Sequence, residues 1–171
     1  MKIKQSVHIR PLSPSDIQAI MTIQSACYPS ALLEDAAHLV CKQQQSPSSC
    51  WVATKECEVV AYLFSHPWCG DTPPDLNSVL PPANTQQPIY YLHDLAVHPQ
   101  ARGLGLAQQL IDTALSWAKQ HAFAQIRLIA VAGAAPFWLK QGFKPVFPLN
   151  EQILNKLSGY GPDTHYLEVM I

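Results

Sequence analysis

A run of small residues with one basic residue, QARGLGLA at positions 100–107, has the composition of an anion site. It stands between a strand predicted over Tyr90–Val97 and a helix predicted over Leu104–Gln120 from its apolar stripe. A helix N-terminus leaves backbone N–H groups free and is the positive end of the helix dipole, and glycine lets a ligand approach the backbone. The two glycines and the arginine therefore predict a pyrophosphate site. A glycine-rich turn with no ligand is the alternative, because the third glycine of the dinucleotide-binding pattern is missing.

The strand before this run carries residues suited to proton transfer. Period two along a regular strand places Tyr91, His93, Leu95 and Val97 on one face and Asp94 on the other. A histidine titrates near neutral pH, so His93 is the first candidate for a general base, with a structural histidine as the alternative. Asp94 is the second candidate, and it could instead orient a neighbour or be displaced by a bulge.

Strands and helices alternate along the remaining chain, which implies an α/β sandwich with a mixed sheet and a single domain over residues 1–171. Ser13 and Pro14 are typical of a helix start, and Gly142 is typical of a helix end. The pattern predicts strands at 7–10, 51–54, 59–65, 126–131, 143–147 and 166–171, and helices at 14–27, 31–44 and 134–141.

The segment from Pro67 to Pro88 contains six prolines and little periodicity, so it is predicted to be a long loop. Loops of this length in a compact domain are usually functional or disordered. Two interpretations stay open: a lid or substrate wall, and a mobile insertion.

Composition excludes several classes of protein. A net charge of −1 gives no broad attraction to nucleic acid or to an anionic membrane. The chain has no apolar run long enough to span a membrane, and its N-terminus does not resemble a signal peptide, so we expect a cytoplasmic protein. The five cysteines form no CxxC pair, and no metal site is predicted.

Two blocks resemble the GNAT family of N-acetyltransferases: the glycine run at 100–107 and the segment FWLKQGF at 137–143. Their order and spacing fit that family, and the resemblance covers nearly the whole chain. It implies the GNAT fold, an α/β (α+β) architecture with a mixed, mostly antiparallel seven-stranded sheet, helices on both faces and a splay between the fourth and fifth strands.

Within the family, YLHDLAVH at 91–98 and PFWLKQGFKP at 136–145 are most similar to the serotonin (arylalkylamine) N-acetyltransferases. His93 matches the second histidine of a pair that removes a proton in those enzymes, and Tyr91 stands at the place of the first. The catalytic candidates are therefore His93, Asp94 and Tyr91.

The resemblance also implies that acetyl-CoA is the cosubstrate and that a primary amine attacks it directly in a ternary complex. A small amine, aromatic or not, is the first acceptor considered. A peptide or protein amine and a catalytically weak acetyl-CoA-binding module are the alternatives. The sequence leaves a homodimer open. The coenzyme-binding residues implied are Leu95, Ala96 and Val97 for the pantetheine arm, Arg102, Gly103, Leu104, Gly105, Leu106 and Ala107 for the pyrophosphate, and Phe137, Trp138 and Lys140 from the second block.

Trp138 is a departure from the family, which often has at this place a tyrosine that protonates the departing thiolate. Indole cannot act as an acid near neutral pH. Tyr160, Tyr166, Cys69, water or an unprotonated thiolate are the alternatives. The family's frequent asparagine is also replaced, by Val131.

Overall fold

The computed structural model describes residues 6–82, 86 and 88–171. The strands are β1 (Val7–Pro11), β2 (Trp51–Lys55), β3 (Glu58–Trp68), β4 (Ile89–Val97), β5 (Gln125–Ala130), β6 (Lys144–Pro145) and β7 (His165–Met170). The helices are α1 (Ile17–Cys27), α2 (Ala36–Gln45), α3 (Leu106–Gln120), α4 (Ala135–Lys140) and α5 (Glu151–Ser158), with short 3-10 turns at Pro14–Asp16, Ser30–Leu32 and Pro99–Ala101.

The seven strands form one sheet in the order β1-β2-β3-β4-β5-β7-β6. Among the described residues, β4 and β5 run parallel, and the other neighbouring strands are antiparallel. This confirms the predicted mixed, mostly antiparallel sheet.

Helices cover both faces of this sheet. The apolar stripe of α3 packs with Leu92 and Leu128, and α4 adds Trp138 to the same cluster. On the opposite face, α1 and α2 pack on Tyr62 and Phe64. The helix α5 covers Tyr91 and Tyr166, with Ile153 and Leu157 as its buried residues. Among the described residues, no helix has the length and hydrophobicity needed to cross a bilayer.

The strand β4 changes its pairing at His93. Its parallel register with β5 ends at the pair Leu92–Leu128, so the two strands separate beyond that point. On the other side, Phe64 pairs with Asp94 while Ser65 pairs with Leu92, which leaves His93 as an extra, bulged residue. The predicted splay is thus confirmed, and it begins at the bulge.

The bulge corrects the predicted alternation of side chains. Leu95 packs with the α3 cluster, whereas Asp94 bonds to Tyr28 and Tyr62 on the α1 face. His93 bonds to Glu34, also on that face. His93 and Asp94 therefore share one face, because an extra residue breaks the period of two.

Three predicted boundaries were wrong. The helix predicted from Ala31 begins at Ala36, because Leu33 and Asp35 have extended backbone conformations. The helix predicted from Leu104 begins at Leu106, after a left-handed glycine. The strand β3 continues through Pro67 to Trp68, so the loop begins later than predicted. Pairing with β2 ends at Leu63, so this part of β3 is paired only with β4, and proline is tolerated at such a sheet edge.

The helix α5 was missed. Asn150 caps it by accepting a hydrogen bond from the backbone N–H of Ile153 at 2.8 Å. The signal was present in the sequence, because an asparagine cap precedes apolar residues at positions 153, 154 and 157. The helix matters for the site because Tyr160 follows it.

Candidate active site

A cavity of about 720 Å³ opens where β4 and β5 separate. We divide its lining into two regions. The glycine region is formed by Ala101, Arg102, Gly103, Gly105, Leu106, Ala107, Gln108, Phe137 and Trp138. The glutamate region is formed by Tyr28, Pro29, Leu32, Glu34, Leu76, His93, Asp94 and Tyr160. The bulged half of β4 runs between them.

The glycine region is built from backbone. Gly103 and Gly105 have φ angles of 80° and 71°, in the left-handed range that favours glycine. A Cβ atom built on either glycine would meet no other atom within 4 Å, so the backbone is open to a ligand. The 15-residue helix α3 begins at Leu106, directly after them. This arrangement suits a pyrophosphate.

The separated half of β4 leads from this region into the cavity. Leu95, Ala96 and Val97 line the cavity, and their role along a pantetheine arm stays a prediction. The hydroxyl of Tyr28 donates to the carbonyl of Leu95 at 3.0 Å. The thiol of Cys27 contacts the carbonyl of Val97 at 3.3 Å. The end of α1 is thus bonded to the part of β4 that no longer pairs with β5.

Two predicted coenzyme residues lie outside the lining. Leu104, between the two left-handed glycines, is 40% exposed. Lys140 is exposed in the last turn of α4. Phe137 and Trp138 do line the cavity, and the ring of Trp138 is buried against Phe143.

The glutamate region is organised around Glu34, which sequence reasoning missed because it was assigned to a helix. Its backbone is held by the side chain of Gln24, which donates to its carbonyl at 2.7 Å and accepts from its N–H at 3.1 Å. Carboxylate Oε2 accepts from Lys42 Nζ and from the backbone N–H of Asn77, both at 3.0 Å. Oε1 bonds to His93 Nε2.

These contacts hold Glu34 ionised. Burial by itself would raise its pKa, but His93 and Lys42 favour the carboxylate and lower the pKa to about 2. Glu34 and Lys42 are both almost fully buried, with side chains 3% and 1% exposed. A buried ion pair of this kind persists only because further hydrogen bonds complete it.

Asp94, the second predicted base, is fully engaged. Its two oxygens accept hydrogen bonds from the hydroxyls of Tyr28 and Tyr62, each at 2.7 Å. Burial raises the pKa of Asp94, and His93 and the two tyrosines oppose that shift. Asp94 therefore anchors the end of α1 to the sheet.

Tyr91 does not line the cavity. It is buried among the residues that pack under α5, and burial raises the pKa of Tyr91 well above its usual value. Its ring lies near His66 and His93, with centroids 5.5 and 6.2 Å away.

The loop after β3 closes the glutamate region on one side. Leu76 lines the cavity, and residues 69–82, which we call the bridging loop, bond to two separate elements. Tyr160, after α5, donates to the carbonyl of Pro74 at 2.9 Å. Toward α2, Asn77 bonds to Asp35 and His38, and the carbonyls of Ser78 and Leu80 accept from Lys42 and Gln45. Residues 83–85 and 87 of the predicted loop lie outside the described residues.

The sequence offers three side chains as the acid that replaces the family's tyrosine at position 138. Tyr160 lines the cavity. Tyr166 lies in the cluster under α5, and Cys69 lines a separate surface depression beside the bridging loop. No group of three or more residues suited to bind a metal occurs in the described part of the chain.

A family model for the GNAT acetyltransferases matches residues 17–143. The chain belongs to this family. It is accordingly an acyltransferase that uses acetyl-CoA. No curated protein sequence gives a significant match.

Solved structures show the same fold at low sequence identity. Ard1 from Thermoplasma volcanium has 18% identity and a TM-score of 0.70, covering 96% of this chain and 97% of that one. Arabidopsis thaliana Naa50, in complex with the bisubstrate analogue CoA-Ac-MVNAL, has 12% identity and a TM-score of 0.70, covering 97% and 99%. Drosophila melanogaster polyamine N-acetyltransferase has 13% identity and a TM-score of 0.65, covering 96% and 98%. The similarity to an arylalkylamine subgroup stays a prediction.

Proposed function

We propose that this GNAT protein acetylates the primary amine of a small, largely apolar molecule bound in the glutamate region. The observation that carries the proposal is the bridging loop. It bonds to α2 on one side and to Tyr160 on the other, and so forms a wall of the pocket beside Glu34 and His93. A pocket walled in this way accommodates a small amine better than an extended peptide.

The lining of the glutamate region supports an apolar amine. Apart from Glu34, His93 and Asp94, it consists of Tyr28, Pro29, Leu32, Leu76 and Tyr160. The two carboxylates are already paired with described residues of the protein, Glu34 with Lys42 and Asp94 with two tyrosines. A second ammonium group, as in a polyamine, would find no uncompensated carboxylate among the described lining residues. A monoamine with an apolar or aromatic body fits better.

In this proposal two residues of the glutamate region transfer protons: one accepts a proton from the amine, and the other donates a proton to the sulfur. Acetyl-CoA supplies the acetyl group as an activated thioester. The amine nitrogen bonds to the carbonyl carbon while the carbon–sulfur bond breaks, and His93 takes the proton that the amine loses. Tyr160 lines this region and would protonate the departing sulfur.

A thiol-release assay over a panel of acceptors tests the proposal. The panel contains a phenylethylamine, a polyamine and short peptides with free N-termini. We expect release with the phenylethylamine and little with the others. Release with peptides alone would contradict the proposal in favour of a peptide acetyltransferase, and no release with any acceptor would favour a binding module.

The variant Asn77→Gly tests the role of the bridging loop. It removes the bonds to Asp35 and His38 yet keeps the left-handed φ of 52° accessible. We expect a higher KM for the small amine and gained activity on peptides. Ser78→Ala is the matched control, since the Ser78 hydroxyl bonds only within the loop, to the carbonyl of Asp75. If the two variants have the same KM for the amine and the same activity on peptides, the bridging loop does not form a wall of the amine pocket.

A further inference from the structure

Glu34 and His93 form a buried carboxylate–imidazole pair, and Glu34 lies outside the sequence blocks that carry the family resemblance. Glu34 lies in an extended segment before α2, and His93 is the bulged residue of β4. Their side chains are 3% and 1% exposed, yet both residues line the cavity. The pair thus lies in the wall of the pocket with almost none of its side-chain surface exposed.

The charge on Glu34 decides where the proton of His93 sits. An ionised carboxylate only accepts hydrogen bonds, so the imidazole must donate to Glu34 Oε1 through Nε2–H. In a neutral imidazole the lone pair then lies on Nδ1. Among the described residues, His93 Nδ1 is a buried atom with no hydrogen-bond partner.

Lys42 completes the arrangement. Its ammonium group bonds to the other oxygen of Glu34 at 3.0 Å, so Lys42 alone balances the negative charge of the carboxylate. A second positive charge on His93 is therefore not needed to balance Glu34. The imidazole can exchange a proton during turnover while the carboxylate stays ionised.

We propose that Glu34 is a positioning residue that holds His93 as the tautomer protonated on Nε2 and thereby makes Nδ1 the atom that accepts the amine proton. The inference rests on the proposed function for its catalytic half, whereas the tautomer itself does not depend on any substrate. Carboxylate-fixed histidines of this kind orient the general base in other hydrolytic and transfer enzymes.

The surroundings of His93 are compatible with this assignment. From β3, His66 stays neutral, because burial lowers its pKa to about 3. From β4, Asp94 is held by two tyrosine hydroxyls and Tyr91 remains a neutral phenol. The titratable or charged groups around His93 are thus Glu34, Lys42, His66, Tyr91 and Asp94.

The test compares the wild-type protein with the charge-balanced double variant Glu34→Gln/Lys42→Met. The single change Glu34→Gln would leave Lys42 buried without its carboxylate and could fail to fold. Nitrogen-15 NMR of labelled histidine, with His93→Gln to assign the resonance, reports the tautomer. We expect Nε2–H in the wild type and a mixture in the double variant, whose amide can either donate or accept. A wild-type Nδ1–H tautomer would overturn the inference, even if the enzyme proves inactive on every amine.

Kinetics test the catalytic half. In the double variant we expect kcat to fall about 10²-fold at unchanged affinity for acetyl-CoA. Gln43→Met is the matched control: it breaks a buried bond between α2 and the carbonyl of Leu12 and leaves the site untouched. An unchanged kcat in the double variant, or an equal fall in the control, would overturn the positioning role.

Discussion

The glycine region and the glutamate region share one cavity, but backbone groups form the first and side chains form the second. In the glycine region, one continuous segment offers backbone groups at two left-handed glycines and the beginning of α3. In the glutamate region, side chains from α1, the segment before α2, the bridging loop, β4 and the end of α5 converge on a buried charge pair. The first region depends on chain conformation, and the second depends on tertiary packing.

This difference bears on how each region responds to substitution. A backbone site tolerates varied side chains, because peptide N–H groups bind the anion there. A site made of buried ionic groups is sensitive to each member, because removing one partner leaves a charge uncompensated. Substitutions in the two regions should therefore change different kinetic constants.

The largest effect is expected from His93→Ala. Loss of a general base lowers the rate of acetyl transfer by about 10²–10⁴-fold. The affinity for acetyl-CoA, measured by calorimetry, should stay nearly the same because the glycine region is untouched. His121→Ala, at the exposed end of α3, is the control for loss of a histidine. Wild-type turnover in His93→Ala would show that His93 is not the general base.

Gly103→Glu should act on the other region. The substitution strains a backbone at φ 80° and places a carboxylate beside the pyrophosphate site. We expect the Kd for acetyl-CoA to rise by more than about tenfold, or about 1.4 kcal/mol. Gly70→Glu, at a similar φ of 86° but outside the cavity, is the matched control. Unchanged affinity in Gly103→Glu would contradict the anion site.

The sequence predicted the glycine region well because its chemistry is local. Position between a strand and a helix, together with two glycines, is visible in eight consecutive residues. The splay between β4 and β5 was predicted from the family resemblance, whereas a bulge was raised only as an alternative for Asp94, and its position at His93 was not predicted. A bulge depends on the register between two strands, here Phe64 with Asp94 and Ser65 with Leu92, which single-strand periodicity cannot report.

Glu34 could not be predicted in the same way. It lies 59 residues from His93 in the sequence, and its neighbourhood fits a helical pattern. The decisive feature is that Leu33 and Asp35 are extended, so that α2 starts later and the Glu34 side chain bonds to His93 of β4. Asp35 is a residue type favoured before a helix and stands at that position, although its side chain makes no capping hydrogen bond. Taking it as the cap would have moved the predicted helix start to the correct place.

Tyr160→Phe should have a smaller effect than His93→Ala. A thiolate with an ordinary pKa near 8.5 needs little help to leave, so we expect kcat to fall by about tenfold at most. Loss of the bond to Pro74 would instead raise the KM for the amine. Tyr166→Phe, outside the cavity lining, is the control. An unchanged kcat would show that water or no acid at all serves the sulfur.

The last prediction concerns stability, not catalysis, and tests the packing around the glutamate region. His66 is buried and neutral, and burial lowers its pKa to about 3 from 6.5. Below pH 6.5 the unfolded chain binds a proton at this residue that the folded protein excludes, so stability must fall as the pH falls. One such group contributes a slope of up to about 1.4 kcal/mol per pH unit.

Urea unfolding at pH 6.5, 5.5 and 4.5 measures that slope. In this range the stabilisation by Glu34 is fully present and does not change with pH, because its lowered pKa of about 2 means that the contribution is lost only as the pH falls below 4.5. His66→Phe should flatten the dependence, whereas exposed His8→Phe should not. If His66→Phe keeps the wild-type slope, other groups determine the pH dependence of stability. Burial then does not keep His66 neutral in the folded protein.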